Sequence, residues 1–461
     1  MNYGENLEDL IKMVQYNDSK NSITLRFNDE YRLFPFQTRS ENRPKFDSGF
    51  KKIISEFSRI NSSVDIDKDF DVDKLLKLIL ANEKIDVKNE ADKIFLQTLL
   101  KDYLVDNSND LKIVHPYLYQ YVSKTKDKSH TGEILVASFF NDVMFQDIPE
   151  ISSYFNKEKN NEKSNNNILT NMVIDNLPEL NKVKIEKKYI CKLPYVLDVF
   201  KEDMEFAFQH EDFLNKNIEN IFAYYYFYYT SQLCLKLFDQ DNTLDKNEEI
   251  YYLLESESAS NNRKTVNNGY DMIKNYNKSL IYKIYSIDYV NKLLGTKGLL
   301  YSELLEYILN LDKKELSDFI KVYKEFIKLY NKTNDNYEEL NEENFKDLFD
   351  YLYIKFLEIK DQSPNNRYAA YFEDVGKKYF LKQRGRYGYI LNLTQDMLIT
   401  ITTLCVKEDK VKLKDLFKEY ERRGIYFDNT SKYAVESLLN KLNYIDKKSD
   451  SGEAQYVRPI L

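Results

Sequence analysis

Glycine and proline are scarce in this chain: 11 and 8 of 461 residues, against roughly 7% and 5% in ordinary proteins. Tight hairpins draw heavily on glycine, and phosphate-cradling loops depend on it. A turn-dense all-β fold and most nucleotide-binding enzyme folds are therefore disfavoured, and the chain is expected to be mainly α. With 43% hydrophobic and 31% charged residues, it can bury a large core and is too charged to be a membrane protein in bulk. The length predicts about three domain-sized units.

Tyrosine (39) and phenylalanine (28) are abundant and tryptophan is absent. With lysine and asparagine also plentiful, this is the signature of A·T-biased codons, so tyrosine richness alone carries no function. Cys191, Cys234 and Cys405 are odd in number and far apart. They offer no disulfide framework, and a reducing, cytoplasmic setting is expected. No charged-then-apolar leader opens the sequence, so secretion is not expected. The most apolar stretch, Ile221–Phe238, contains five tyrosines plus Thr230, Ser231, Gln232 and Lys236. It is a buried helix by composition, not a bilayer span. A net charge of −8 argues against a generic polyanion binder.

Residues 1–155 read as a mostly helical unit with a small β-hairpin. Leu7, Leu10, Ile11 and Val14 share a helical face. Ser22–Phe27 alternates with period two and Tyr31–Phe36 is a second extended piece, with Pro35 at an edge. Asp47 and Ser48 are placed to cap a helix carrying Phe50, Ile53, Ile54, Phe57 and Ile60. Val72–Leu80 and Ile94–Leu104 continue the helical pattern. Residues 156–168, Asn- and Lys-rich without a core anchor, read as a linker or loop. Residues 169–361 read as a helical bundle. Its stripes are Leu300 to Leu311, Leu316 to Tyr330 and Phe345 to Ile359.

The texture changes after Asp361. Residues 362–391 form a basic connector with a local charge of +4 and interleaved aromatics: Tyr368, Tyr371, Phe372, Tyr379, Phe380, Tyr387 and Tyr389. Cations neutralise phosphate and aromatic rings stack on bases; a solvated basic face with core aromatics is the competing reading. In residues 392–461 the predicted order is helix, short strand, helix, helix, hairpin. Thr394 caps the first helix, Lys410–Lys412 is extended, Gly424 ends the second helix and Asn429 or Thr430 caps the third. That is the order of a winged helix. Its third helix would face a DNA major groove with Lys432, Tyr433, Ser437, Asn440 and Lys441, and Lys447 and Lys448 would sit on the wing. With Lys382, Arg384 and Arg386 of the connector, these are the candidate DNA-binding residues. Residues 384–458 carry only about three excess positive charges, and Glu436 lies on the third helix. Docking of a protein is therefore the alternative use of the module.

Catalytic signatures are sparse. The three histidines are His115, His130 and His210, and no second histidine follows His210-Glu211 at zinc-protease spacing. His130 lies in a Lys- and Ser-rich loop and is expected to be solvated. Asp239 to Asp245 imitates half a calcium loop but lacks its glycine and terminal glutamate. Asp175 with Glu186-Lys187-Lys188 resembles a nuclease carboxylate–lysine pattern. A cryptic metal-dependent nuclease is therefore kept as a further alternative. No enzyme activity, metal or cofactor is expected.

The run Phe380 to Asp396 (FLKQRGRYGYILNLTQD) and the tail Lys448 to Val457 (KSDSGEAQYV) resemble the DNA phosphorothioation-dependent restriction protein DptG family. Glu255–Arg263 and Leu33–Phe36 carry fainter likeness to it. The resemblance implies a subunit of a three-component bacterial restriction module. Its partners would have ATPase or helicase character, and the module attacks DNA lacking backbone sulfur. It brings no catalytic residues onto this chain. The combined expectation is a non-catalytic DNA-engaging or bridging subunit, with a pure assembly scaffold as the alternative.

Overall fold

A computed structural model describes residues 2–461 except positions 69, 82–88, 108, 157–166, 241–242, 335–339 and 448–454. Most of the expected linker, residues 156–168, and the turn of the expected wing thus lie outside the described residues. The described chain is mainly helical with small sheets.

Two buried helices organise it. Glu211–Lys236 is buried at every position from Ile221 to Lys236. It is packed by the helices Lys51–Asn61, Pro194–Gln209, Tyr270–Asn277, Ser363–Tyr379 and Gln395–Val406. From Ile221 onward the helix has no solvent face, as its composition predicts. Leu280–Leu294 is the second hub. Tyr3–Met13, Tyr301–Leu309, Lys313–Thr333, Phe345–Leu357 and Ser363–Tyr379 surround it. The three expected bundle helices therefore exist and share a buried partner that the periodicity did not single out. Gly295, at φ +67°, ends that hub in the left-handed cap that glycine adopts without strain.

One continuous apolar core runs from Tyr3 to Val457. A smaller cluster joins Ile66–Val122 to Val173. Among the described residues three small sheets decorate the helices: Val64–Asp65 with Asn181–Lys182; Leu253–Leu254 parallel to Tyr389–Leu393, which also pairs antiparallel with Leu381–Gln383; and Val411–Lys412, Gln455–Val457 and Ile445–Lys447, with Gln455–Val457 central.

The expected N-terminal hairpin does not form. Residues 23–28 form no strand and spend their donors elsewhere: Thr24 N–H on the Val14 carbonyl, Arg26 N–H on the Tyr289 hydroxyl (3.1 Å) and Asn28 N–H on Asp288 (3.1 Å). Arg32 instead pairs in parallel with Tyr189. The buried Leu280–Leu294 helix thus substitutes side-chain acceptors for a partner strand. Asp47 and Ser48 do not cap the Lys51–Asn61 helix either. The Glu219 carboxylate, from the central helix, accepts the Phe50 N–H at 3.0 Å.

Candidate nucleic-acid interface

The Ser363–Tyr379 helix buries Tyr368, Tyr371 and Phe372, and Phe380 follows it into the core. The Phe380 ring stacks on Phe227 with centroids 4.7 Å apart. Those four aromatics are core residues, not base-stacking platforms. The chain then turns through a hairpin whose strands are Leu381–Gln383 and Tyr389–Leu393. Gly385 (φ +54°) and Gly388 (φ +68°) have nothing within 4 Å of a would-be Cβ. Backbone conformation, not crowding, demands glycine there. This turn presents Arg384 and Arg386.

Arg386 is exposed at the tip, its guanidinium 4.9 Å from the Tyr387 ring centroid and 2.7 Å from its hydroxyl. Arg384 is half-buried. Its guanidinium donates to the carbonyls of Leu254 (3.4 Å) and Glu255 (3.2 Å) and to the Asn392 side chain (3.2 Å). Lys382 Nζ lies 3.3 Å from both the Glu255 carbonyl and its carboxylate. The Leu253–Leu254 strand and Glu255 thus lie beside the connector cations, 127 residues away in sequence.

The third C-terminal helix, Asn429–Lys441, is capped by Asp428, which accepts the Ser431 N–H at 2.9 Å. The expected caps, Asn429 and Thr430, are its first two helical residues. Asp428 also receives two bonds from Arg263 (2.6 and 2.8 Å), and Arg263 further reaches Glu257 (2.7 Å) and Ser431 (2.8 Å). Burial alone raises a carboxyl pKa, but the Arg263 bonds and the Ser431 amide outweigh it and hold Asp428 below its usual range. The body loop Glu255–Arg263 therefore clasps the N-terminus of this helix.

Tyr433, Ser437, Asn440 and Lys441 are exposed, together with Asn429 and Thr430. They recur at three-to-four spacing and make one continuous outer face. Lys432 is turned aside, 3.3 Å from Glu421 and 5.3 Å from the Phe417 ring centroid. Glu436 is also turned aside, accepting from Gln455 at 2.7 Å. Lys447 pairs through its backbone with Gln455, and Lys448 lies outside the described residues. A cleft of about 410 Å³ separates the helix from the connector sheet, with Ser437, Leu438 and Lys441 on one wall and Glu255, Ser256 and Leu393 on the other.

Five of the ten sequence-predicted residues therefore border one side of the molecule: Lys382 and Arg384 through Glu255, Ser437 and Lys441 across the cleft, and Arg386 at the adjoining hairpin tip. Sequence reasoning missed Glu255 as a contact of the connector cations. It also missed Arg263, whose partner Asp428 is 165 residues away. A larger groove of about 780 Å³ adjoins Lys377 and Lys378. It is laced with ion pairs, Arg43–Asp374 (3.1 Å) and Lys45–Asp127 (2.6 Å) among them.

His115 and His130 bond to residues of the N-terminal part, not to this face. His130 is not in a solvated loop: it starts a helix with Nε2 2.7 Å from Glu56, which Arg59 also grips. His115 is buried, accepts the Tyr117 N–H, and burial alone lowers its pKa to about 4. Glu186 of the nuclease-like pattern is exposed beside Lys184. Among the described residues no group of three His, Cys, Asp or Glu side chains is placed to hold a metal ion. Among them, too, no helix is long and apolar enough to cross a membrane, and all three cysteines are free thiols.

Comparison with known proteins adds no relative: no family model matches the chain, and no curated protein matches it significantly.

Proposed function

We propose that this chain is a non-catalytic, DNA-engaging and bridging subunit of a bacterial phosphorothioation-dependent restriction complex, and that residues 392–461 are a winged helix. The observation that carries the DNA half is the outer face of Asn429–Lys441. It stays open while every other side of that helix is engaged, and it follows the helix–strand–helix–helix–strand–strand order. Asn429, Thr430, Ser437 and Asn440 supply uncharged donors and acceptors suited to base edges. Lys441, Arg386 and the connector cations supply phosphate contacts. The restriction context rests on the likeness of residues 380–396 and 448–457 to the DptG family, and with it the ATPase- or helicase-type partners.

Few cations face outward, so the expected DNA affinity is weak and strongly salt-dependent. Titrating a labelled duplex into the purified chain at about 50 and about 200 mM salt tests it. Loss of binding on charge reversal at Lys441, Lys432, Lys447 and Lys448, with partner assembly intact, supports the reading; no binding at low salt, alone or with partners, overturns it. The scarcity of outward charge on the helix favours a second reading, a scaffold whose helix face docks a partner protein. Under that reading the same charge reversals abolish assembly and leave any DNA binding unchanged.

A further inference from the structure

One connector cation, Lys382, already holds an anion. Glu255 follows the Leu253–Leu254 strand, and its N–H donates to the Leu393 carbonyl at 3.1 Å. Its place is therefore set by the backbone, independently of its side chain. From there its carboxylate lies 3.3 Å from Lys382 Nζ, and its carbonyl takes both Lys382 Nζ and the Arg384 guanidinium. Among the described residues the Arg384 Nε is buried without a hydrogen-bond partner. Glu255 also walls the cleft opposite Lys441. Lys382 thus meets the carboxylate itself, Arg384 is held by the carbonyl of the same residue, and Lys441 lines the cleft that Glu255 walls. A backbone phosphate is the diffusible group whose charge and acceptors match that position.

We propose that Glu255 is a built-in phosphate competitor: its carboxylate occupies the position on Lys382 that a DNA backbone phosphate takes at the edge of the cleft shared with Lys441. The proposal rests on the DNA-engaging reading above and adds its regulation. Both members of the Lys382–Glu255 pair are substantially exposed, with side-chain exposures of 41% and 55%. Exposed pairs of this kind are weak, so a polyanion presenting several phosphates at once displaces Glu255, whereas an isolated phosphate competes poorly. The self-held carboxylate lowers affinity for short or single contacts and leaves extended DNA as the ligand.

The test uses the full chain, a labelled DNA duplex of random sequence, and four proteins: wild type, Glu255→Gln, Glu325→Gln and Lys382→Ala/Glu255→Gln. Glu325 is an exposed acid on the Lys313–Thr333 helix and controls for bulk charge. The expected result is that Glu255→Gln binds roughly fivefold more tightly at low salt, with a salt slope steeper by about 0.9, the increment for one added phosphate contact. Glu325→Gln matches wild type, and the gain vanishes in the Lys382→Ala background. Thermal melting confirms that Glu255→Gln stays folded. Equal gains from Glu255→Gln and Glu325→Gln overturn the proposal in favour of bulk charge. Unchanged affinity of Glu255→Gln beside a binding wild type overturns it and leaves the DNA reading standing. Absence of binding by wild type and Glu255→Gln alike overturns both.

Discussion

Arg423 and Asp203 form a two-pronged ion pair, Nε to Oδ2 at 2.9 Å and a terminal nitrogen to Oδ1 at 2.5 Å, with both side chains fully buried. Asp203 lies on the Pro194–Gln209 helix, and Arg423 closes the Leu413–Arg422 helix of the C-terminal segment. Glu419 and the Leu404 carbonyl take the remaining guanidinium donors, and the Tyr224 hydroxyl bonds the Arg423 carbonyl. The C-terminal segment is thereby fastened to the body; it is not a module swinging on a tether. Any load that DNA or a partner puts on its outer helix passes into the central helix.

Breaking that pair is expected to be costly. Asp203→Ala removes the fully buried carboxylate and leaves the buried guanidinium with only the partly exposed Glu419, and a loss of about 3 kcal/mol in chemical denaturation is expected. Asp203→Ala/Arg423→Met, which removes both charges, should lose less than the two single changes summed, because no orphaned charge remains.

Asp288 is fully buried, and burial pushes its carboxyl up to about 6 even though the Asn28 N–H and the Tyr31 hydroxyl donate to it. The folded state then holds a proton that the unfolded state has released between about pH 4 and pH 6. Stability from this group therefore falls as pH rises through that window. Between pH 5 and pH 7 the loss from this group is roughly 1 kcal/mol. Asp288→Asn keeps an acceptor for Asn28 and removes the ionisation. Urea titrations at the two pH values should show wild type losing that much more than the variant.

Gly424 sits at φ +74°, and a Cβ there would lie 2.2 Å from the Tyr228 ring of the central helix. Gly424→Ala is expected to cost about 2 kcal/mol or more, from left-handed strain plus overpacking. A lowered melting temperature is the readout. The substitution also pries the Leu413–Arg422 helix from the body, so any DNA binding should weaken with it.

Arg386 and Lys441 are both exposed, so Arg386→Glu and Lys441→Glu are expected to change stability by less than about 0.5 kcal/mol. Under the DNA reading each lowers duplex affinity and makes the salt slope shallower by about 0.9. Circular dichroism and a salt titration measure both sides of that expectation.

Periodic segments were legible without coordinates. Val72–Leu80 folds as the helix its pattern describes, and the stripes around Leu316 and Phe345 are the inner faces of Lys313–Thr333 and Phe345–Leu357. The C-terminal element order was legible too, because strong period changes and good capping residues are local: Thr394 caps as expected, accepting the Met397 N–H at 3.2 Å. Extended segments were less legible. Period two in Ser22–Phe27 says that a backbone is stretched, not what will pair with it, and two of the acceptors there turned out to be side chains some 260 residues away. The connector showed the same limit. Charge and aromatic interleaving were visible, but only packing separated the buried Tyr368, Tyr371 and Phe372 from the exposed Arg386.

Composition and hydrophobic period therefore determined that this chain is a many-helix protein and where most of its helices run, since helix formation depends on side chains three and four residues apart. Tertiary structure decided which extended segments find partners. It also set Glu255 beside Lys382, bound Arg263 to Asp428, and locked Arg423 to Asp203. Each of those contacts joins residues more than a hundred positions apart, and no local pattern encodes a meeting that only the collapse of a shared core brings about.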